Sequence, residues 1–179
     1  MFCDSVRGFA EKHLAAGALA RAHQEEHPWD VSRLIAEQGL LGIAMKEEDG
    51  GQGGTLMDAI LAIETVAQVC PRSADVIQAG NFGPVRVLAE YGTRDQKDRY
   101  LKKILAGESV ITVGMTEPEA GSAVTDLTTS AKPDGRTSGR ETDGQFGSAA
   151  TKQGESHPTQ SALRTCLERV TQVSIDFLG

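Results

Sequence analysis

Met115-Thr116-Glu117-Pro118-Glu119-Ala120-Gly121-Ser122 follows directly on the β-branched run Ser109-Val110-Ile111-Thr112-Val113-Gly114. A run of this kind predicts a strand, and the end of a strand presents aligned backbone amides. Thr116 adds a short hydroxyl. Gly121 lets the backbone approach a phosphate closely, and Ser122 adds a polar contact. These are the groups needed to hold the N5 and O4 edge and the pyrophosphate of a flavin. Pro118 and Gly121 are also ordinary turn residues, and on spacing alone a plain turn is the stronger reading.

The other chemistry-bearing residues have simpler explanations. His23 and His27 are four apart, as metal ligands on a helix face can be, but no third ligand lies near them in sequence. A solvated helix end is the better reading. Gly50-Gly51-Gln52-Gly53-Gly54 is not followed by Gly-Lys-Ser/Thr and is not a phosphate-cradling loop; it reads as a mobile turn near a substrate mouth. Glu25-Glu26 and Glu47-Glu48 read as solvated carboxylates. Cys70, before Pro71, reads as a small buried residue.

The elements that position these residues are mostly helices. Val6, Phe9, Ala10, His13 and Leu14 recur at helical spacing, and this first helix is expected to run out near His27-Pro28. Pro28 opens a second helix with Val31, Leu34 and Ile35 inward. Leu40 to Met45 is an apolar, glycine-broken connector. Thr55 and Asp58 predict a capping box, with Leu56, Ala59, Ile60, Ile63 and Ala67 along one side of the helix that follows. Pro71 interrupts, Ser73 restarts a helix to Gly80, and Pro84 opens another. Thr93 with Gln96 caps a last helix whose core face is Tyr100, Leu101, Ile104 and Leu105, ending at Gly107. Short connections between these helices predict a bundle.

Composition narrows the function classes. Net charge is -7 and aromatics are 4%, which disfavours nucleic-acid stacking platforms and anionic surfaces. Cys3, Cys70 and Cys166 are odd in number and widely spaced, against a disulfide framework or structural zinc site. No apolar run reaches membrane-spanning length, and the N-terminus lacks a signal-peptide pattern. A cytoplasmic protein with no membrane span is expected.

Several segments in one order resemble the acyl-CoA dehydrogenase family. They are Leu34-Ile35-Ala36-Glu37-Gln38-Gly39-Leu40-Leu41-Gly42-Ile43, the loop Glu47-Glu48-Asp49-Gly50-Gly51-Gln52-Gly53, and Tyr91-Gly92-Thr93-Arg94-Asp95-Gln96-Lys97 through Leu105-Ala106-Gly107-Glu108. The segment Met115 to Ser122 completes the set, and the resemblance runs from about Phe2 to Ala131. It implies an FAD-dependent oxidoreductase of fatty acid metabolism that removes an α-proton from an acyl-CoA thioester and passes the β-hydride to flavin N5. It further implies flavin contacts from Val113, Met115, Thr116, Gly121 and Ser122, with Ser122 also near the acyl-CoA. An electron-transfer partner and homo-oligomers of the full-length proteins are implied too. Two positions depart from the family pattern: Ala123 stands where an acidic residue is usual, and Lys46 where a proline is common.

The expected fold is mainly α. Residues 1–107 form an N-terminal helical bundle, and 108–131 supply the first strand and turn of an incomplete β-domain. Residues 132–179 are an unmatched, poorly ordered tail with a short terminal helix over 161–178. The stretch 132–160 is rich in Gly, Ser, Thr and charge, too polar to offset its ordering entropy. The composition of the tail after Ala131, where the resemblance ends abruptly, looks like translation in a shifted reading frame, an expectation that the other frames of the coding DNA would test. No catalytic base is identifiable; the resemblance implies one in a C-terminal domain outside the match. The chain alone is therefore expected to be a truncated and inactive form. Alternatives are a non-catalytic helical remnant or interaction module, and a flavin monooxygenase or acyl-CoA oxidase on the same scaffold.

Overall fold

A computed structural model describes residues 1–114, 121–123, 130–133, 138–141 and 174–178. Helix α1 (Phe2–His13) buries Val6 and Ala10 and ends where Leu14 is also buried. The long first helix expected from the sequence is interrupted. A 3-10 turn (Ala15–Gly17) and the short α2 (Ala18–Ala22) follow, and no helix spans 23–28. The Arg21 guanidinium folds back to donate to the Leu14 carbonyl, which satisfies a helix-end acceptor as the chain turns. His13, expected on the core face, is exposed and lies 5.4 Å ring to ring from Phe9.

Helix α3 (Trp29–Glu37) buries Val31, Ser32 and Ile35. Helix α4 (Leu56–Ala67) starts at the anticipated capping box: the Thr55 amide donates to Asp58 Oδ2 at 2.8 Å, and the Asp58 amide donates to Thr55 Oγ1 at 3.2 Å. Its buried stripe is Ala59, Ala62, Thr65 and Val66. Leu56 and Ile60, expected to face the core, are 44% and 43% exposed. The small side chains decide this, because α4 lies between α1 and α5 and close helix approach selects Ala59 and Ala62 for the seam. Helix α5 (Pro71–Ala79) begins at Pro71 itself, whose missing N–H costs nothing at the first helical position. The proline therefore opens the helix where the sequence reading had it interrupt one. α1, α3, α4, α5 and the connector residues Leu40, Leu41 and Ile43 enclose the larger core.

Helix α6 (Pro84–Tyr91) leads to a helical arm in three pieces: α7 (Arg94–Gln96), a π-helical segment (Lys97–Leu101) and α8 (Lys102–Leu105). The Thr93–Gln96 capping box is formed. A second core gathers Met45, Val85, Leu88, Leu101, Ile104 and Ile111. Ile111 belongs to strand β1 (Val110–Gly114), so this core is what seats the strand on the helices.

Strand β1 pairs antiparallel with β4 (Ser174–Leu178), Val110 opposite Leu178 and Val113 opposite Ile175. The terminal helix expected over 161–178 is thus replaced at 174–178 by a strand, and 161–173 lie outside the described residues. Strand edges invite pairing, and Ile175 and Phe177 are good strand formers. Strands β2 (Ser130–Pro133) and β3 (Ser138–Glu141) form a second antiparallel pair.

The glycine-rich segment is tied down, contrary to its reading as a mobile turn. Amides of Gln52, Gly53 and Gly54 donate to the carbonyls of Gly42, Met45 and Ile43. A Cβ on Gly51 would overlap the Met45 carbonyl, so only glycine allows this close approach. Lys97 Nζ lies 2.8 Å from Asp49 Oδ2, with the two side chains only 18% and 5% exposed. The loop is thereby fastened to the π-helical segment.

Candidate functional site

The residues singled out for cofactor contact begin at the far end of β1. Val113 sits in the strand at the position paired with Ile175. Met115 and Thr116 lie outside the described residues. Gly121 and Ser122 form an exposed bend, and a Cβ added at Gly121 would meet nothing within 4 Å. What the structure fixes is the root of this segment. Ile111 is 3% exposed within the second core, and Gly107 turns the chain from α8 toward β1. Gly107 has φ +71°, and a side chain there would overlap the Ser32 carbonyl. α3 and the lead into β1 are thus in backbone contact, which no other residue type would permit.

Beside this contact is a narrow cleft, partly open to solvent, with about 10 Å³ of free space, room for about one water molecule. Leu41, Val76, Gly80 and Ile104 give it apolar walls, and His27, Ser32 and Ser109 supply polar groups. His27 Nε2 is 2.6 Å from Ser32 Oγ, and the imidazole packs against Trp29 in a tilted arrangement, ring centroids 4.4 Å apart and planes 59° apart. Burial, and then the positive charge of Arg72, lower its pKa below the ordinary 6.5. The solvated helix end expected for His23 and His27 holds only for His23, which is exposed; His27 is half-buried and bonds Ser32. Among the described residues no group of three or more His, Cys, Asp or Glu could hold a metal.

Asn81 is a structural residue that the sequence reading passed over. It is 1% exposed; Oδ1 accepts from the Ile43 amide at 2.6 Å, and Nδ2 donates to the carbonyls of Leu40 and Ile77 at 2.8 Å each. The irregular connector between α3 and α4 thereby satisfies its backbone groups away from water. A buried-polar residue just after a helix end, opposite a glycine-broken apolar run, is the only signal that could have found it. Cys70 is a buried free thiol, as expected. Burial raises its pKa, but hydrogen bonding from the Ser73 hydroxyl at 3.1 Å and from Arg21 outweighs that and leaves it below the ordinary thiol value.

The model of the acyl-CoA dehydrogenase N-terminal domain matches residues 1–108, most of the chain and all of the helical part. The chain belongs to the acyl-CoA dehydrogenase family. Within this family it is 33% identical over 134 residues to a 3-sulfinopropanoyl-CoA desulfinase of Paraburkholderia xenovorans, covering 75% of this chain and 34% of that protein. It is 32% identical over 116 residues to a short-chain-specific acyl-CoA dehydrogenase of Clostridium acetobutylicum, covering 65% and 31%. The crystal structure of an acyl-CoA dehydrogenase from Geobacillus kaustophilus superposes with a TM-score of 0.69 at 26% identity, over 78% of this chain and 37% of that one. The chain spans about a third of the length of these relatives. The mostly helical architecture is that of the family's N-terminal domain. Among the described residues no helix is long and apolar enough to cross a membrane.

Proposed function

We propose that this chain supplies the helical bundle and the first flavin-contacting segment of an acyl-CoA dehydrogenase-like flavoprotein acting on a short acyl-CoA thioester. The observation that carries the reading is the seating of β1. With Ile111 buried against α6 and the helical arm, the strand leaves the bundle along one fixed direction, and the segment 115–122 follows from it. The exposed bend at Gly121 and Ser122 is compatible with an FAD. Gly121 has open space about its Cα and Ser122 is exposed, so neither is committed to packing within the bundle. Val113, Met115 and Thr116 would hold the ring edge through amides and a hydroxyl, and Gly121 and Ser122 would lie near the phosphates and the thioester. Bound flavin supplies the hydride acceptor. The chain's own part is to position donors and to exclude water on one side. No catalytic base is assigned among its residues. The restriction to short acyl groups rests on the names of the two relatives above.

The isolated chain is expected to bind FAD weakly or not at all and to show no acyl-CoA-dependent dye reduction. Stoichiometric flavin absorbance co-eluting with the chain would overturn that expectation. In a chain extended by the rest of a family member, Thr116→Val and Ser122→Ala are each expected to weaken FAD about tenfold, the loss of one hydrogen bond worth about 1.4 kcal/mol. Unchanged FAD affinity in both variants would remove these residues from the site.

A second reading, a helical module that associates through an apolar face, is favoured by one feature. Leu56, Met57 and Ile60 are 44%, 59% and 43% exposed along the start of α4. Chromatography followed at both protein and flavin wavelengths separates the two readings.

A further inference from the structure

We propose that His27, packed against the tilted ring of Trp29 and bonded to Ser32, is a proton-operated latch that holds the lead into β1 against the helical core. This is independent of the flavin reading, since it concerns the root of the strand and not its far end.

The latch is built from contacts that join three parts of the chain. His27 precedes α3 and shares a 2.6 Å hydrogen bond with Ser32, which is itself 2% exposed. Gly107 lies directly over the Ser32 carbonyl. Ser109 and Val110, the next step of the chain and the first residue of β1, line the same cleft as His27. A neutral imidazole suits this place. It has one donor and one acceptor nitrogen, and it packs as an aromatic ring against Trp29.

A charged imidazole does not suit it. The charged group that acts on His27 from a packed element is Arg72 of α5, also a cation. The rest of α5 in the cleft, Val76, Ala79 and Gly80, carries no charge, and neither does Leu41 of the connector. From α8 and the lead into β1 the cleft receives Ile104, Gly107, Ser109 and Val110, again uncharged, with Glu108 exposed beside them. From the histidine's own segment, Glu25, Glu26 and Asp30 are exposed to water. The N-terminus of α3 adds the positive end of a helix dipole. No carboxylate lines the cleft to compensate a proton.

The direction of the response follows. Because the folded state holds His27 below its ordinary 6.5, the unfolded or opened state binds more protons in the window beneath that value. The stability from the closed latch is complete above 6.5 and falls as pH descends toward the folded value. Protonation then favours release of half-buried His27, together with the exposed residues 23–26 before it, into solvent, where the charge is hydrated. Ser32 loses its partner, and the packing of Gly107 and Val110 over α3 loosens.

Trp29 is the protein's only tryptophan, so its fluorescence reads this site alone. Emission, the His27 ring protons by NMR, and hydrogen exchange at the amides of Gly107 to Ile111 are to be followed from about pH 8 to about pH 5, the range in which histidine titrates. The expected result is an emission change with its midpoint below 6.5, accompanied in the same window by faster exchange at Gly107 to Ile111. Each unit of displacement below 6.5 corresponds to about a tenfold preference for the neutral form. His27→Gln is expected to abolish the emission change, and Arg72→Gln to move its midpoint upward. A midpoint at or above 6.5, a transition that survives in His27→Gln, or exchange at Gly107 to Ile111 that is blind to the transition would each overturn the proposal. Should His27→Gln fail to fold, the ring-proton titration of the unaltered protein and the Arg72→Gln shift decide it.

Discussion

Asn81 shows how much one polar side chain can hold when its whole hydrogen-bonding capacity is used. Its amide serves the connector at Leu40 and Ile43 and the end of α5 at Ile77, all at 2.8 Å or less and out of contact with water. Replacing it by alanine would orphan a buried N–H and loosen two carbonyls while leaving a small void. The expected cost of Asn81→Ala is about 3 kcal/mol, from one or two unsatisfied buried groups. Urea denaturation checks this through a lower midpoint at unchanged slope. A loss below about 1 kcal/mol would mean that water replaces the side chain at little cost. The same scale governs Met45. It is 5% exposed in the second core, and it reaches there because the connector is pinned at Ile43 by Asn81.

At the scale of elements, the glycine-rich loop and the helical arm are coupled by Asp49 and Lys97, a largely buried ion pair that bridges 48 positions of sequence. Arg94 Nη1 adds a longer contact to the Glu48 carbonyl at 3.4 Å. Removing one partner leaves the other charge with poor solvation, so Asp49→Ala is expected to cost about 3 kcal/mol. The double variant Asp49→Leu with Lys97→Met should recover most of that loss, because it removes the desolvation penalty together with the attraction. Thermal unfolding of the two variants and the parent forms the cycle; a double variant no more stable than the single would show that the pair is a net stabiliser. The arm is π-helical at Lys97–Leu101, next to this pair and to the buried Leu101. The wider turn places Lys97 toward the loop and Leu101 toward the second core on one short element.

The whole molecule carries an apolar strip that its own chain leaves open. Leu56, Met57 and Ile60 lie within one and a half turns of α4, while the opposite face of that helix is closed by α1 and α5. The isolated chain is expected to self-associate as its concentration rises, as exposed contiguous apolar patches do. Leu56→Gln, Met57→Gln and Ile60→Gln together should keep it monomeric, at little cost to folding because these side chains are largely solvated already. Light scattering against concentration measures both. Association that persists in the triple variant would assign it to some other surface.

Local signals were legible in the sequence where a single residue pair or a single proline decides the geometry. Thr55 with Asp58 and Thr93 with Gln96 form the capping boxes they spell, Pro84 opens α6, and the run from Val110 forms β1. Each of these depends on hydrogen bonds or dihedral limits within a few residues. The family was legible as well, because several segments stand in register along the helical part. Legibility failed where a residue's partner is distant. Periodicity alone could not say which face of α4 is buried, since Ala59 and Ala62 win that place only when α1 and α5 approach closely. The glycine-rich segment looked mobile because its restraints, Gly42, Met45, Ile43 and Lys97, come from elsewhere in the chain. His27 read as part of a solvated helix end until the fold set it against Ser32, Trp29 and the root of β1. The sequence by itself determined most of the helical segments, two capping boxes and the kinship. Tertiary structure alone decided which faces close, what each buried polar group bonds, and how β1 is seated, because those outcomes depend on packing between segments that share no local code.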